Sequence, residues 1–241
     1  MWATLPTGTI DVKDGAASAN SDLFTVTLRG QGVHASTPQD GVDPVIAASQ
    51  FVSQAQTIVS RRVAPLSPAV LSTTWLEAGN QDALNVIPMT ARLGGSIRSH
   101  DDQARETIRT GLHQIAAGLE ASHPGLSVEV DHLQGYDMVW NDPTPTAVVR
   151  ELAEQVSPGK VIADPPMRGG EDFAAFSQVT PSTYVFVGAA MPARASTPRT
   201  TPPPSAWTRT ASPLPGSWRC RWCAPGNGCV AGSPERLGSP G

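Results

Sequence analysis

Asp22-Leu-Phe-Thr-Val-Thr-Leu-Arg29 places Phe24, Val26 and Leu28 on one side of an extended chain and Thr25 and Thr27 on the other. Strict alternation of this kind marks a strand with one buried and one wet face. Downstream, beyond a loop holding Gly30, Gly32 and His34-Ala-Ser-Thr-Pro38, the period changes. Val45, Ala48, Val52, Ala55 and Val59 recur every three to four residues, broadened by Ile46, Phe51 and Ile58. That spacing predicts an amphipathic helix from about Asp43 to Arg62, with Pro44 in its first turn. Ala69–Leu76 and Thr90–Ile97 read as strands separated by a loop around Gly79–Pro88. Asp101 or Asp102 then caps a second helix whose Ala104, Ile108, Leu112, Ile115 and Leu119 share one face. Leu126, Val128 and Val130 alternate in a last strand. The order is β-α-β-β-α-β, the α+β unit in which two helices cover one face of a four-stranded antiparallel sheet.

Around this unit the pattern differs. Pro143–Val156 reads as a helix, Lys160–Ala163 as a short strand, Glu171–Gln178 as a helical turn and Ser182–Val187 as a buried strand. Leu5–Asp14 looks extended. Residues 1–20 and 136–189 are therefore expected to be remnants of an α/β domain, into which residues 21–135 are inserted. Those two pieces are too small to make a core by themselves.

Composition separates a further segment. The chain of 241 residues carries a net charge of −4, yet residues 191–241 hold six Arg and only Glu235 as an acid. The same stretch contains ten of the 23 Pro, all three Cys and three of the six Trp, without helical or strand periodicity. Residues 190–241 are expected to be a disordered tail, read in a shifted frame from near Ala189–Met191. Cys220 and Cys223 form C-x-x-C with Cys229 nearby, but a zinc ribbon or knuckle needs a fourth ligand, and none is closer than His132. Mild acidity excludes a general affinity for nucleic acid, and no apolar run is long enough to span a membrane. Met1–Thr9 lacks the regions of a signal peptide, so the expectation is a cytoplasmic protein.

Several phrases taken together resemble the metal-dependent N-acyl-amino-acid amidohydrolases, the group of hippurate hydrolase, aminoacylase-like peptidases and auxin-conjugate hydrolases. They are Asp22-Leu-Phe, Gly30-Gln-Gly-Val-His34-Ala-Ser-Thr-Pro38, Gly41-Val-Asp-Pro-Val, Gln56-Thr-Ile-Val-Ser-Arg61, Asn85-Val-Ile-Pro88, Gly95-Ser-Ile-Arg98 and Gly169-Gly-Glu-Asp-Phe173. The resemblance covers residues 1–189. It implies a catalytic domain with a pair of divalent metals (zinc, manganese or cobalt) and a smaller β-α-β-β-α-β lid that dimerises and closes over the substrate.

Carried over residue by residue, the resemblance implies that His34 reaches the partner subunit's site as a hydrogen-bond donor to the tetrahedral oxyanion. It implies that Asn85 and Arg98 hold the substrate carboxylate, by an amide and by a guanidinium fork. Glu171 and Asp172, behind two glycines, would line the catalytic pocket. Each has a plainer reading: a loop histidine capping backbone, a turn-forming Asn, an Arg paired with Asp101 or Asp102, and acids gathered at a helix N-terminus. His100, His113, His123 and His132 match no functional position and are expected at solvated or boundary positions.

The resemblance also sets an expectation about what this chain holds. The family's metal ligands lie mostly upstream of the lid, with one more His beyond Gly188. Residues 1–190 contain no Cys and no H-x-x-H cluster. A truncated fragment that binds no metal and cleaves nothing alone is expected. An alternative is a non-catalytic dimerisation module forming homodimers or heterodimers through the lid. An RNA-binding sandwich is a third class sharing this topology, but Thr90–Ile97 lacks the aromatics that stack bases.

Overall fold

The computed structural model describes residues 2–190; the expected tail from Met191 onward lies outside them. In chain order the elements are β1 (Trp2–Pro6), β2 (Ile10–Asp11), β3 (Gly15–Ala16), β4 (Asp22–Arg29), β5 (Val33–His34), α1 (Pro44–Arg61), β6 (Ala69–Ala78) and β7 (Val86–Ile87). Then follow β8 (Thr90–Ser99), α2 (Asp102–Ser122), β9 (Ser127–Leu133), β10 (Trp140–Asn141), α3 (Pro143–Val156), β11 (Val161–Ile162), α4 (Ala174–Ser177) and β12 (Phe186–Ala190).

β6, β8, β4 and β9 lie side by side in that order, every pair antiparallel. The alternation in β4 follows from this placement. Phe24, Val26 and Leu28 meet Ala47, Phe51 and Ile58 of α1 and Ile108, Leu112 and Leu119 of α2 in one core, while Leu23 and Thr25 face outward. α1 begins where Asp43 Oδ1 accepts the amide of Val45, and α2 begins where Asp101 accepts that of Gln103, each capping a first turn. The buried stripe of α1 is Pro44, Ala47, Ala48, Phe51, Ala55 and Ile58. The expected stripe was broader, but Val45 and Ile46 are exposed because the helix rolls its Ala47–Phe51 edge onto the sheet. Gly95 is where β8 touches its neighbour most closely: a Cβ there would lie 1.8 Å from the Ser72 carbonyl oxygen, next to the irregular pairing at Thr73–Trp75.

The remaining elements form a mixed sheet ordered β1-β12-β2-β11, with β1 parallel to β12, β12 antiparallel to β2 and β2 parallel to β11. The expected extended stretch Leu5–Asp14 is two strands, broken at Gly8, whose φ of 86° suits glycine. The expected strand Ser182–Val187 begins only at Phe186. The backbone of Tyr184 bonds instead to the side chain of buried Asn141. Two short ribbons complete the architecture. β3 pairs with β10 where the chain enters and leaves the four-stranded unit, and β5 pairs with β7 beside the Thr90 end of β8.

Candidate functional site

The β5–β7 ribbon pairs His34 with Val86 and hands the Asn85 carbonyl to the amide of Ala35. Two candidates far apart in sequence thereby become neighbours: Asn85 Nδ2 is 3.5 Å from His34 Nε2. The other ring nitrogen is occupied. His34 Nδ1 accepts the Ser36 amide at 3.2 Å and lies 2.7 Å from Ser36 Oγ. Both His34 and Asn85 are exposed, so this pair stands ready for a group from outside.

Arg98 stands on the open face of β8, near its other end. Neither Asp101 nor Asp102 pairs with it. Asp101 caps α2 and accepts Ser67 Oγ, and Arg98 has no hydrogen-bond or ion-pair partner among the described residues. Its guanidinium lies beside Gly170, where a methyl in place of the glycine hydrogen would come within 3.2 Å of Nη1 and 2.4 Å of Ser21 Cβ. The Gly169-Gly170-Glu171-Asp172 turn thus approaches Ser21, just before β4, so closely that only glycine fits at position 170. A cavity of about 360 Å³ opens by that turn, walled by Met167, Arg168, Gly169 and Phe186 and floored by the buried Lys13–Asp11 ion pair. Glu171 and Asp172 precede α4; they are not in its first turn.

The four histidines without an expected role occupy distinct places. His113 is exposed, and His123 bonds Gln50. His100 Nε2 meets the Met167 carbonyl at 2.9 Å, tying the end of β8 to the segment leading into the Gly-Gly turn. His132 Nε2 lies 3.0 Å from Asp22, which is wholly buried. Asp22 also takes two hydrogen bonds from Arg105, at 2.6 and 2.7 Å, and one from the Gly135 amide. Burial opposes its ionisation, but the Arg105 and Gly135 hydrogen bonds and the charges of Arg105 and His132 prevail and hold the carboxyl below its usual range. Hydrogen bonding to Asp22 raises Arg105 in turn. Sequence reasoning missed this network because Asp22 sits in an apolar alternation and its partners lie 83 to 113 positions away.

Among the described residues, no three His, Cys, Asp or Glu side chains come together to hold a metal. Two of the candidate ligands are also already engaged, His34 Nδ1 by Ser36 and Asp22 by Arg105. The described residues do not fit a metal pair.

Residues 16–124 match the family model described as "Peptidase dimerisation domain". N-acetylcysteine deacetylase of Bacillus subtilis (strain 168) is 35% identical over 184 residues, covering 76% of this chain and 47% of that protein. N-acetyldiaminopimelate deacetylase of Shouchella clausii (strain KSM-K16) is 32% identical over 188 residues, covering 78% and 50%. Among solved structures, the Bacillus subtilis YXEP protein, described as a dinuclear metal binding peptidase from the M20 family, aligns with a TM-score of 0.63 at 29% identity. That alignment covers 78% of this chain and 46% of that one. The chain spans about half the length of the curated relatives it matches. With its dimerisation domain matched and relatives aligned over about three quarters of its length, the chain belongs to the M20 family.

Proposed function

We propose that this chain supplies the substrate-holding and oxyanion-donating parts of a cytoplasmic, dimeric amidohydrolase acting on N-acyl amino acids. Residues 21–135 would serve as the lid and dimerisation domain, and residues 1–20 and 136–189 as portions of the catalytic domain. The observation that carries the reading is the separation of the two donor groups. The ribbon bearing His34 and Asn85 hangs from the Thr90 end of β8, whereas Arg98 stands eight residues along, about 26 Å at the rise of a strand. One chain cannot close both groups around one small molecule. Two chains paired through this unit can, with His34 and Asn85 of one reaching the Arg98 and Gly170–Asp172 corner of the other.

In that arrangement each group has a defined task. Arg98, with no partner of its own among the described residues, presents a planar fork to the carboxylate of the substrate. The Asn85 amide adds a donor without adding charge. His34, with Nδ1 bound to Ser36, aims Nε2 at the oxygen that gains negative charge as the amide carbon becomes tetrahedral. Glu171 and Asp172 wall the same corner. The metal pair of the dinuclear YXEP protein enters no step here, because the described residues do not hold it.

A second reading is favoured by the match of residues 16–124: a dimerisation module without catalysis of its own. One experiment separates the two. His34→Ala and Arg98→Gln chains are each titrated with N-acetylcysteine by calorimetry, then mixed, allowed to exchange subunits and titrated again. A composite site predicts weak binding by each variant alone and a recovered fraction of tight sites in the mixture, since each mixed dimer rebuilds one intact site. A dimer that binds no N-acyl amino acid in any combination supports the module reading. A chain that sediments as a monomer sinks both.

A further inference from the structure

Tyr184 is clamped through its own backbone close to the Gly-Gly turn. Asn141, wholly buried, accepts its amide at 2.7 Å through Oδ1 and donates to its carbonyl at 2.9 Å through Nδ2. Asn141 thus imitates a neighbouring strand for this single residue. The same amide also donates to the Lys13 carbonyl, fixing Asn141 itself to the body of the chain. The Tyr184 ring lies 5.1 Å from Phe173 and 5.1 Å from Phe186, tilted against the first and edge-on to the second. Phe173 immediately follows Glu171-Asp172, so the ring is packed under the turn that carries both acids. Ala17, Val139 and Ala174 close the cluster from behind.

We propose that Tyr184 is a positioning residue for Glu171: with its backbone clamped by Asn141 and its ring wedged between Phe173 and Phe186, its hydroxyl donates to the Glu171 carboxylate and fixes where that carboxylate points. The electrostatics agree. Burial, the charge of Glu171, the hydrogen bond to Glu171 and the charge of Asp172 together push the Tyr184 hydroxyl above its ordinary value. Lys13, the cation beside this cluster, sits over the ring of Phe186, 5.5 Å from its centroid. A carboxylate at the mouth of a glycine-rich turn is otherwise free to swing between rotamers. A phenol anchored at both ends of its own residue removes that freedom. The use of Glu171 against substrate rests on the reading above, but the anchoring itself does not.

The chain contains only two tyrosines, Tyr136, which is exposed, and Tyr184. The full chain labelled at tyrosine Cζ with carbon-13 therefore gives two resonances, assigned with Tyr136→Phe. The proposal predicts that Tyr184 ionises at higher pH than Tyr136 and that Glu171→Gln lowers its midpoint. It also predicts that the Tyr184 resonance senses the Glu171 charge, so that its chemical shift changes in Glu171→Gln. Identical Tyr184 titrations in the two chains, over the whole range, overturn it. Tyr184→Phe keeps the ring packing and serves as the control that the turn survives without the hydroxyl. Adding N-acetylcysteine then tests the other question. A Tyr184–Glu171 coupling that ignores the compound upholds the anchor while removing Glu171 from the substrate site.

Discussion

The Asn85 amide and the His34 imidazole meet at 3.5 Å although 51 positions separate them in the chain. The Ser36 amide decides how they meet. A backbone N–H can only donate, so His34 Nδ1 is an acceptor and the neutral ring carries its proton on Nε2. That leaves Nε2–H for an acceptor from outside, with the Asn85 Nδ2 standing beside it at 3.5 Å. Nitrogen-15 spectra of histidine-labelled chain are expected to show Nδ1 of neutral His34 bare and Nε2 protonated. The opposite tautomer would remove His34 as an Nε2–H donor.

Arg98 separates structure from function cleanly. With no partner among the described residues, Arg98→Gln is expected to change folding stability by no more than about 0.5 kcal/mol. The same substitution is expected to weaken N-acetylcysteine binding at least tenfold, because a charge-assisted fork is lost. Chemical denaturation and calorimetry on the same samples check both halves.

Asp22 makes stability pH-dependent in a known direction. Its folded-state carboxyl is depressed, so its contribution is complete above the unfolded value of about 3.9 and is lost as pH falls through the lower folded value. Denaturation midpoints are expected to drop below about pH 4. In Asp22→Asn that part of the slope is absent. The same change should lower stability near neutral pH by about 3 kcal/mol, the lower end for breaking a buried pair, since Asp137 still faces Arg105 at 2.6 Å.

Gly170 and Ser21 form a paired steric test. Gly170→Ala drives a methyl to 2.4 Å from Ser21 Cβ and should cost about 1–3 kcal/mol of thermal stability. Ser21→Gly removes that atom, and the double variant is expected to recover most of the loss. If the two effects simply add, the close approach of the turn to the linker is wrong.

The periodic parts of the fold were readable because long elements repeat their signal. Phe24–Leu28 and Ala104–Leu119 report their buried faces many times over, and both helices start at an acid that caps them. The short ribbons were not readable, since two residues such as Val33–His34 or Gly15–Ala16 have no period. The meeting of His34 with Asn85 depends on such a ribbon, so the sequence named both residues only through resemblance. Asp22 was hidden for another reason. A buried carboxylate is tolerable only beside its cation, and Arg105 lies far along the chain on a helix whose polar positions look alike in sequence. Arg98 looked able to pair with Asp101 or Asp102; geometry turns it away to the opposite face.

β4 lies between β8 and β9, although it is the first strand of its sheet to be made. Its register with β9 runs from Leu23–Leu133 to Arg29–Ser127, so one edge of the central strand waits for partners about a hundred residues later. During synthesis at roughly 5–20 residues per second, that edge stays open for several seconds. An open, alternating strand is a template for pairing with another chain. Beyond Leu23, the outward face of β4 answers this with Thr25, Thr27 and Arg29. Closure of the sheet by β9 is therefore the slow step expected of such long-range pairing, and nascent chains released before Leu133 should be the aggregating ones.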